Sequence, residues 1–551
     1  MSNKTKKSSN TVKTIKTVKK QNSFEYAVVN IISLLVFLAF GYIAVMSFVQ
    51  TSSFDPAQYV GEVVLYEVDN IAINILFTVL FGVFVFRMKR HYDFFAKVDM
   101  RFMEIGLAAF VLIIGLSWVL SVTSIPAADS YNIFETATGV SDGNYSALTN
   151  NSDFYNSAYY NGYSYFNYYP FQLGFVFICE IIYRIFGVSS SMPVQILNVI
   201  CVALAYLGIA KITKLIFKRR AIEFISIILL AGCFQPVLFC TFAYGNIIGM
   251  CCAVWASYFL IKYFQNTKYL LLLPCAVLLV LSTLAKYNNM IYLVAFVIML
   301  VVHTVKAKKW QSIAFALALC IATVGVSNLV IISYEKRANV QFANGVSQIM
   351  YLDMGLNESS MAPGWYNGIA LSAYKNNNLN DEIAKDQALN DVKRRLDVFS
   401  SDAEYTLDFF GKKILSQWNE PTFESIWVSE VKQHTEPINK VVTSVYDGSL
   451  GQFLELYFNL YMQIIYLLFA IGIYCLFLRK MTNIETILLP LVILGGFGYH
   501  MLFEGKSQYI LTYIILLIPV ASFALNTLLE GKYTKIKEIF GKLNTIPEEV
   551  Q

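Results

Sequence analysis

Twelve windows of about 18 to 25 mostly apolar residues, the length that crosses roughly 30 Å of hydrocarbon, recur along the chain, those at 71–87 and 269–285 being short. They lie near 27–49, 71–87, 104–122, 193–216, 222–240, 246–264, 269–285, 289–305, 312–333, 453–478, 484–503 and 509–528. A backbone inside lipid has no water to bond, so each window must pair its own amides as a helix. The expected fold is an all-α polytopic membrane protein of about twelve transmembrane helices. Composition agrees: 56% of the 551 residues are apolar and only 14% charged, which excludes a string of water-facing domains. The formal charge of +5 is too mild for a nucleic-acid binder of this size. All nine cysteines fall within or beside apolar runs, without disulfide or zinc spacing, and read as small buried hydrophobes.

Charge sets the expected orientation. Residues 1–22 carry seven lysines and no acid, which places the tail in the cytoplasm. Alternating sides from there puts 28 of the 42 Lys+Arg but only 10 of the 37 Asp+Glu on the cytoplasmic face, with the C-terminus there too. The first apolar run is too long for a signal peptide and lacks an early small-residue cleavage site, so it reads as a retained anchor. The resulting plan is a basic cytoplasmic tail (1–26), two additional N-terminal spans (27–103) and a transmembrane core (104–333) holding a first long outer loop (123–191). An external loop subdomain (334–452), C-terminal spans (453–528) and a cytoplasmic tail (529–551) follow. Residues 170–187 look apolar, yet Glu180 and Arg184 sit one helical turn apart within them, and counting them as a span would move Lys218, Arg219 and Arg220 outside. They are expected to form an interfacial or re-entrant helix, the alternative being a true span with an internal ion pair. In the external loop, 381–399 reads as an amphipathic helix.

Polar chemistry gathers at the outer ends of the spans. Asp129, in Ser124-Ile125-Pro126-Ala127-Ala128-Asp129-Ser130, lies where the chain leaves the third span. A carboxylate there can be both desolvated and reachable, as a general base requires; it can equally cap a helix over 130–138. Residues 155–171 are dense in tyrosine and uncharged, suited to stacking on sugar rings or to an aromatic belt at headgroup level. Lys286 sits between two closely spaced apolar runs, where its ammonium must snorkel or meet an anion such as a lipid phosphate. Glu504-Gly505-Lys506-Ser507-Gln508-Tyr509 forms a tight hairpin between the last two spans, a polar loop or a cluster of donors for a leaving phosphate. The turn Pro363-Gly364-Trp365-Tyr366-Asn367-Gly368 presents an exposed Trp-Tyr pair, as a substrate lid or a packed turn. No Walker loop, nucleophile elbow, dinucleotide fingerprint or metal triad is present in the sequence.

In their order and common side, these segments resemble the GT-C superfamily of polytopic glycosyltransferases. The resemblance covers about residues 104–528 and is nearest to protein mannosyltransferases, aminoarabinose transferases and their Gram-positive cell-envelope branch. It rests on Pro126-Ala127-Ala128-Asp129-Ser130, Tyr169-Pro170-Phe171-Gln172, Leu284-Ala285-Lys286, Gly355-Leu356 with Pro363-Gly364-Trp365-Tyr366-Asn367, and Glu504-Gly505-Lys506-Ser507-Gln508-Tyr509. It implies transfer of one sugar from a polyprenyl-phosphate donor to an acceptor outside the membrane, such as a cell-envelope glycopolymer or glycolipid. Asp129 would be the base, with Lys286, Lys506, Gln508 and Tyr509 at the donor phosphate. Glu135, Tyr169, Gln172, Asp353, Trp365, Tyr366 and Glu504 would contact sugar or acceptor. Many family members carry adjacent acids in the first outer loop, whereas Asp129 is followed by Ser130 and the next acid is Glu135. No resident cofactor is expected, and dependence on a divalent cation is left open. The competing readings are a transporter or flippase for lipid-linked sugars, for which midplane polar residues and paired repeats are lacking, and an assembly scaffold.

Overall fold

The computed structural model describes residues 23–122, 124–151, 159–187, 190–432 and 439–530. The basic tail (1–22), most of the C-terminal tail and part of the tyrosine-rich stretch lie outside these residues. The chain opens with helix α1 (Ser23–Met46), a two-stranded hairpin of β1 (Gln50–Phe54) and β2 (Val64–Val68), and α2 (Ile71–Met88). The strands pair antiparallel, Gln50 opposite Val68 and Phe54 opposite Val64. Next come α3 (Met100–Ser121), α4 (Asp129–Ser141), α5 (Leu173–Phe186), α6 (Met192–Phe217), α7 (Arg220–Ala231), α8 (Asn246–Asn266), α9 (Leu272–Ala285), α10 (Met290–Ala307) and α11 (Gln311–Ala338). The external loop holds α12 (Gln348–Leu356), α13 (Ile369–Asn376), α14 (Asp381–Ser401) and α15 (Ala403–Trp418), and the chain closes with α16 (Ser449–Leu478), α17 (Ile484–Leu502), α18 (Ser507–Ile514) and α19 (Ile518–Glu530).

Among the described residues ten helices are long and apolar enough to cross a membrane, or eleven if one bent pair counts as a single span. The difference from twelve has two local causes. The window at 222–240 is broken by 46° between Arg220–Ala231 and Gln235–Thr241, where Gly232 ends one helix and Pro236 opens the next. The window at 269–285 forms an apolar helix, Tyr269–Ala285, that falls short of a full crossing. The stretch 170–187 gives α5, 14 residues long or roughly 21 Å at 1.5 Å per residue, less than the hydrocarbon thickness. Its Glu180 bonds Arg184 at 2.8 Å, and also Arg337 at 2.6 Å and the Tyr334 hydroxyl at 2.6 Å, which fastens α5 to α11.

Helix α1 is no peripheral addition. It packs against α16, α17 and α10, and its Phe40 ring meets Trp418 edge-on at 5.2 Å and Phe469 at 4.8 Å. By contrast α2 is only 11% buried along its apolar window. Four ion pairs, Glu25–Lys306, Glu104–Lys211, Glu223–Lys214 and Glu530–Arg219, join residues that the charge alternation assigns to one end of the bundle. The external loop folds back over the other end, with α14 spanning the amphipathic stretch expected at 381–399.

Candidate active site

After α3 the chain turns sharply. Ile125 donates its amide to the Lys432 carbonyl at 2.8 Å, and Ala128 adopts a left-handed backbone (φ +50°), a strained conformation for a residue with a Cβ. Helix α4 then starts at Asp129 itself. The helix-cap alternative therefore does not hold: Ala128 occupies the cap position and no side chain caps the helix, because Ser130 closes the turn on Ala127. The Asp129 side chain lines a cavity of about 540 Å³. It is exposed to that cavity, and the protein around it raises its pKa by loss of hydration, opposed first by Lys286 and more weakly by Lys432 and Lys506.

Three lysines face the same cavity and differ in their company. Lys286 follows the end of α9, where close approach of neighbouring backbones fixes it: a Cβ on Gly245 would stand 1.7 Å from the Ala285 carbonyl oxygen, and one on Gly174 2.6 Å from that of Leu284. Its ammonium lies over the Tyr244 ring at 4.0 Å and near that of Tyr509 at 5.5 Å. Lys432 places its ammonium 3.6 Å from the Phe242 ring centre. Among the described residues neither lysine makes an ion pair. Burial brings Lys286 down to about 8 and Lys432 to about 7. Lys506 differs: Glu62 meets it at 2.6 Å and Glu424 at 3.4 Å. Burial alone would lower its pKa, and these carboxylates more than reverse that, holding it above the ordinary value.

Of the residues expected at the site, Asp129, Lys286, Lys506, Gln508, Tyr509, Tyr169, Gln172, Tyr366 and Glu504 line this one cavity. Glu504 accepts the Tyr509 hydroxyl at 3.1 Å, and Gln172 donates to the Tyr244 hydroxyl. Three residues lie elsewhere. Trp365 is not exposed at all: it is fully buried, its indole donates to Ser416 at 2.9 Å, and its ring meets Phe54 of β1. Asp353 lines a separate pocket of about 300 Å³ and binds the Asn357 amide at 2.8 Å. Glu135, on α4, is not among the cavity-lining residues. Sequence reasoning missed Lys432, Glu62, Glu424 and Tyr244. None sits in a recognisable motif, and the fold alone brings them in from 62, 244, 424 and 432. Among the described residues no cluster of three or more His, Cys, Asp or Glu is placed to hold a metal ion.

Residues 172–332 match the profile of the dolichyl-phosphate-mannose-protein mannosyltransferase family. This stretch runs from Gln172 at the cavity wall through α5, Tyr244 and Lys286 to the body of α11. The chain is thus similar to that family over part of its length. No curated protein matches it. Among solved structures, the archaeal oligosaccharyltransferase AglB from Archaeoglobus fulgidus, in complex with an inhibitory peptide and a dolichol-phosphate, overlays with a TM-score of 0.37 at 13% identity, covering 82% of this chain and 53% of AglB. ArnT from Cupriavidus metallidurans, bound to undecaprenyl phosphate, overlays with a TM-score of 0.31 at 11% identity, covering 81% of each chain. The chain spans about half the length of AglB.

Proposed function

We propose that the protein transfers a sugar from a polyprenyl-phosphate donor to a hydroxyl of an extracytoplasmic acceptor, a cell-envelope glycopolymer or glycolipid, at the outer membrane boundary. The observation that carries this reading is one cavity faced by a carboxylate, Asp129, and by two ammonium groups that make no ion pair among the described residues, Lys286 and Lys432. In this mechanism Asp129 takes the proton of the acceptor hydroxyl as its oxygen attacks the anomeric carbon. The bond from that carbon to the phosphate oxygen breaks, and the electron pair leaves with the phosphate, whose growing charge Lys286 and Lys432 meet in a site of low polarity. Attack from the face opposite the phosphate inverts the anomeric centre. Tyr169, Tyr244 and Tyr366 supply ring faces and hydroxyls for the sugar. The lipid carrier delivers its headgroup already at the interface, which lowers the entropic cost of bringing donor and base together.

The experiment is the purified protein in lipid with a panel of polyprenyl-phosphate sugars, followed by mass analysis of candidate acceptors. The reading expects acceptors heavier by one sugar with wild-type protein, and product formation about a hundredfold slower or worse with Asp129→Asn. Transfer at the wild-type rate in Asp129→Asn would remove the base, and no transfer with any donor would remove the reading.

A further inference from the structure

The hairpin between α1 and α2 lies outside the segment that resembles known transferases, yet it reaches the active-site cavity. Ser52 of β1 donates its amide to the Asn419 carbonyl at 3.0 Å and its hydroxyl to that of Leu415 at 2.7 Å, while Val64 of β2 donates to Met361 at 2.9 Å. Phe54 packs between Trp365 at 6.3 Å and Trp427 at 5.9 Å. The connection joining the strands carries Glu62 in a left-handed backbone conformation (φ +56°), a strained state that the surrounding bonds impose. Its carboxylate meets the Lys506 ammonium at 2.6 Å, with both side chains 11% exposed at the cavity wall. Glu424 completes the clamp and also accepts the Ser507 hydroxyl and the Gln508 amide at 3.1 Å, so Lys506 is held between two carboxylates at the cavity wall. Asp129 forms no ion pair with any described lysine.

We propose that Glu62 is a positioning residue of sugar transfer: from the N-terminal hairpin it anchors Lys506 against Glu424, so that this ammonium cannot swing across the cavity and quench the Asp129 base. The inference rests on the sugar-transfer reading for its purpose, but not for its test. With only Glu424 left to hold it, Lys506 is drawn toward the remaining cavity carboxylates, Glu504 and Asp129. An ammonium paired to Asp129 lowers its proton affinity and blocks access of the acceptor hydroxyl. Removal of the Lys506 charge acts in the opposite sense, because a cation that favours the Asp129 carboxylate is lost. The other charged and titratable groups facing Asp129 are Lys286, Lys432, Glu504 and the tyrosines Tyr165, Tyr169, Tyr244, Tyr351, Tyr366 and Tyr509, and none is altered by these substitutions.

The test follows the infrared carboxyl band of protonated Asp129 in the full-length protein in lipid, assigned by its disappearance in Asp129→Asn, as pH is varied. Glu62→Gln is expected to shift the band's midpoint down by about half a pH unit or more, and Lys506→Gln to shift it up. Glu62→Asp keeps the anchor charge and is expected to stay near wild type. The Glu62→Gln/Lys506→Gln pair is expected to match Lys506→Gln alone. An unmoved or raised midpoint in Glu62→Gln, or a Glu62→Gln effect that persists without Lys506, would overturn the proposal. Should Lys506→Gln fail to fold, Glu62→Gln and Glu62→Asp decide the matter by themselves. If the shifts appear and no polyprenyl-phosphate sugar is turned over, the anchoring stands and the sugar-transfer reading falls. With a donor that is turned over, Glu62→Gln should lower kcat about tenfold while donor KM stays within about threefold, the split expected of a residue that acts on the base and not on binding.

Discussion

A carboxylate proposed to accept a proton has to be reachable and has to hold its proton more tightly than a free acid, and Asp129 is exposed to the cavity with its pKa raised. The left-handed Ala128 directs it into the cavity, and Ser130 takes over the turn-closing role that would otherwise occupy an acid at a helix start. The raised pKa of Asp129 and the lowered ones of Lys286 and Lys432 fix the pH behaviour. On the proposed mechanism Asp129 works as a base only above its own pKa. Lys286 and Lys432 attract phosphate only while protonated, so their contribution is complete well below pH 7 and is lost as pH rises through about 7 for Lys432 and about 8 for Lys286. A plot of kcat/KM for the donor against pH is therefore expected to be bell-shaped, with Lys432→Arg moving the alkaline limb upward; a limb unchanged in that variant would separate Lys432 from donor capture. At this scale the sequence was partly legible. Asp129, Lys286, Glu504 and Tyr509 stand at ends of apolar runs, where a polar residue draws notice. Lys432, Glu62 and Glu424 do not, because only tertiary contact makes them neighbours. Trp365 was misread because a Pro-Gly turn suggests exposure, and nothing near it in the chain announces the β-hairpin that covers it.

Elements hold these residues in register by close packing and by a few buried polar ties. The junction carrying Lys286 is gripped where Gly245 meets the Ala285 carbonyl, a contact that leaves no room for a methyl group. Gly245→Ala is expected to push α8 from α9, weaken donor binding through Lys286 and lower the melting temperature; a variant with wild-type binding and melting would show that the junction is not constrained there. Glu180 ties α5 to α11 through Arg337 and Tyr334. Because Arg337 keeps partial exposure, Glu180→Ala is expected to cost about 2 kcal/mol, below the range for a fully buried pair, as read by thermal unfolding in detergent. Hydrophobic windows located the helices well, since apolar length is what a bilayer selects. The window at 269–285 is short in the sequence and falls short of a crossing in the fold, but hydropathy could not show that 222–240 breaks, because Gly232 and Pro236 act on the backbone while leaving hydropathy high.

Across the whole molecule, charges separate to two ends. One end carries the pairs Glu25–Lys306, Glu104–Lys211, Glu223–Lys214 and Glu530–Arg219, and the other carries the cavity beneath the external loop. On the charge alternation the cavity end faces outward, and a cysteine placed at Ser359 should react with an impermeant thiol reagent added outside intact cells; reaction only from the cytoplasmic side would invert the topology. Helix α1 and the hairpin after it are built into this architecture, one against Trp418 and the other against Trp365, which sequence patterning could not reveal because each contact joins residues more than 300 positions apart. The central claim is that groups distant in the chain gather at this end into a site for a lipid phosphate. It is tested most directly by binding of undecaprenyl phosphate to the purified protein in lipid, compared with Lys286→Gln, Lys432→Gln and the two together. The account predicts saturable binding that each single variant weakens about tenfold and the pair weakens further. Wild-type affinity in the double variant would contradict it.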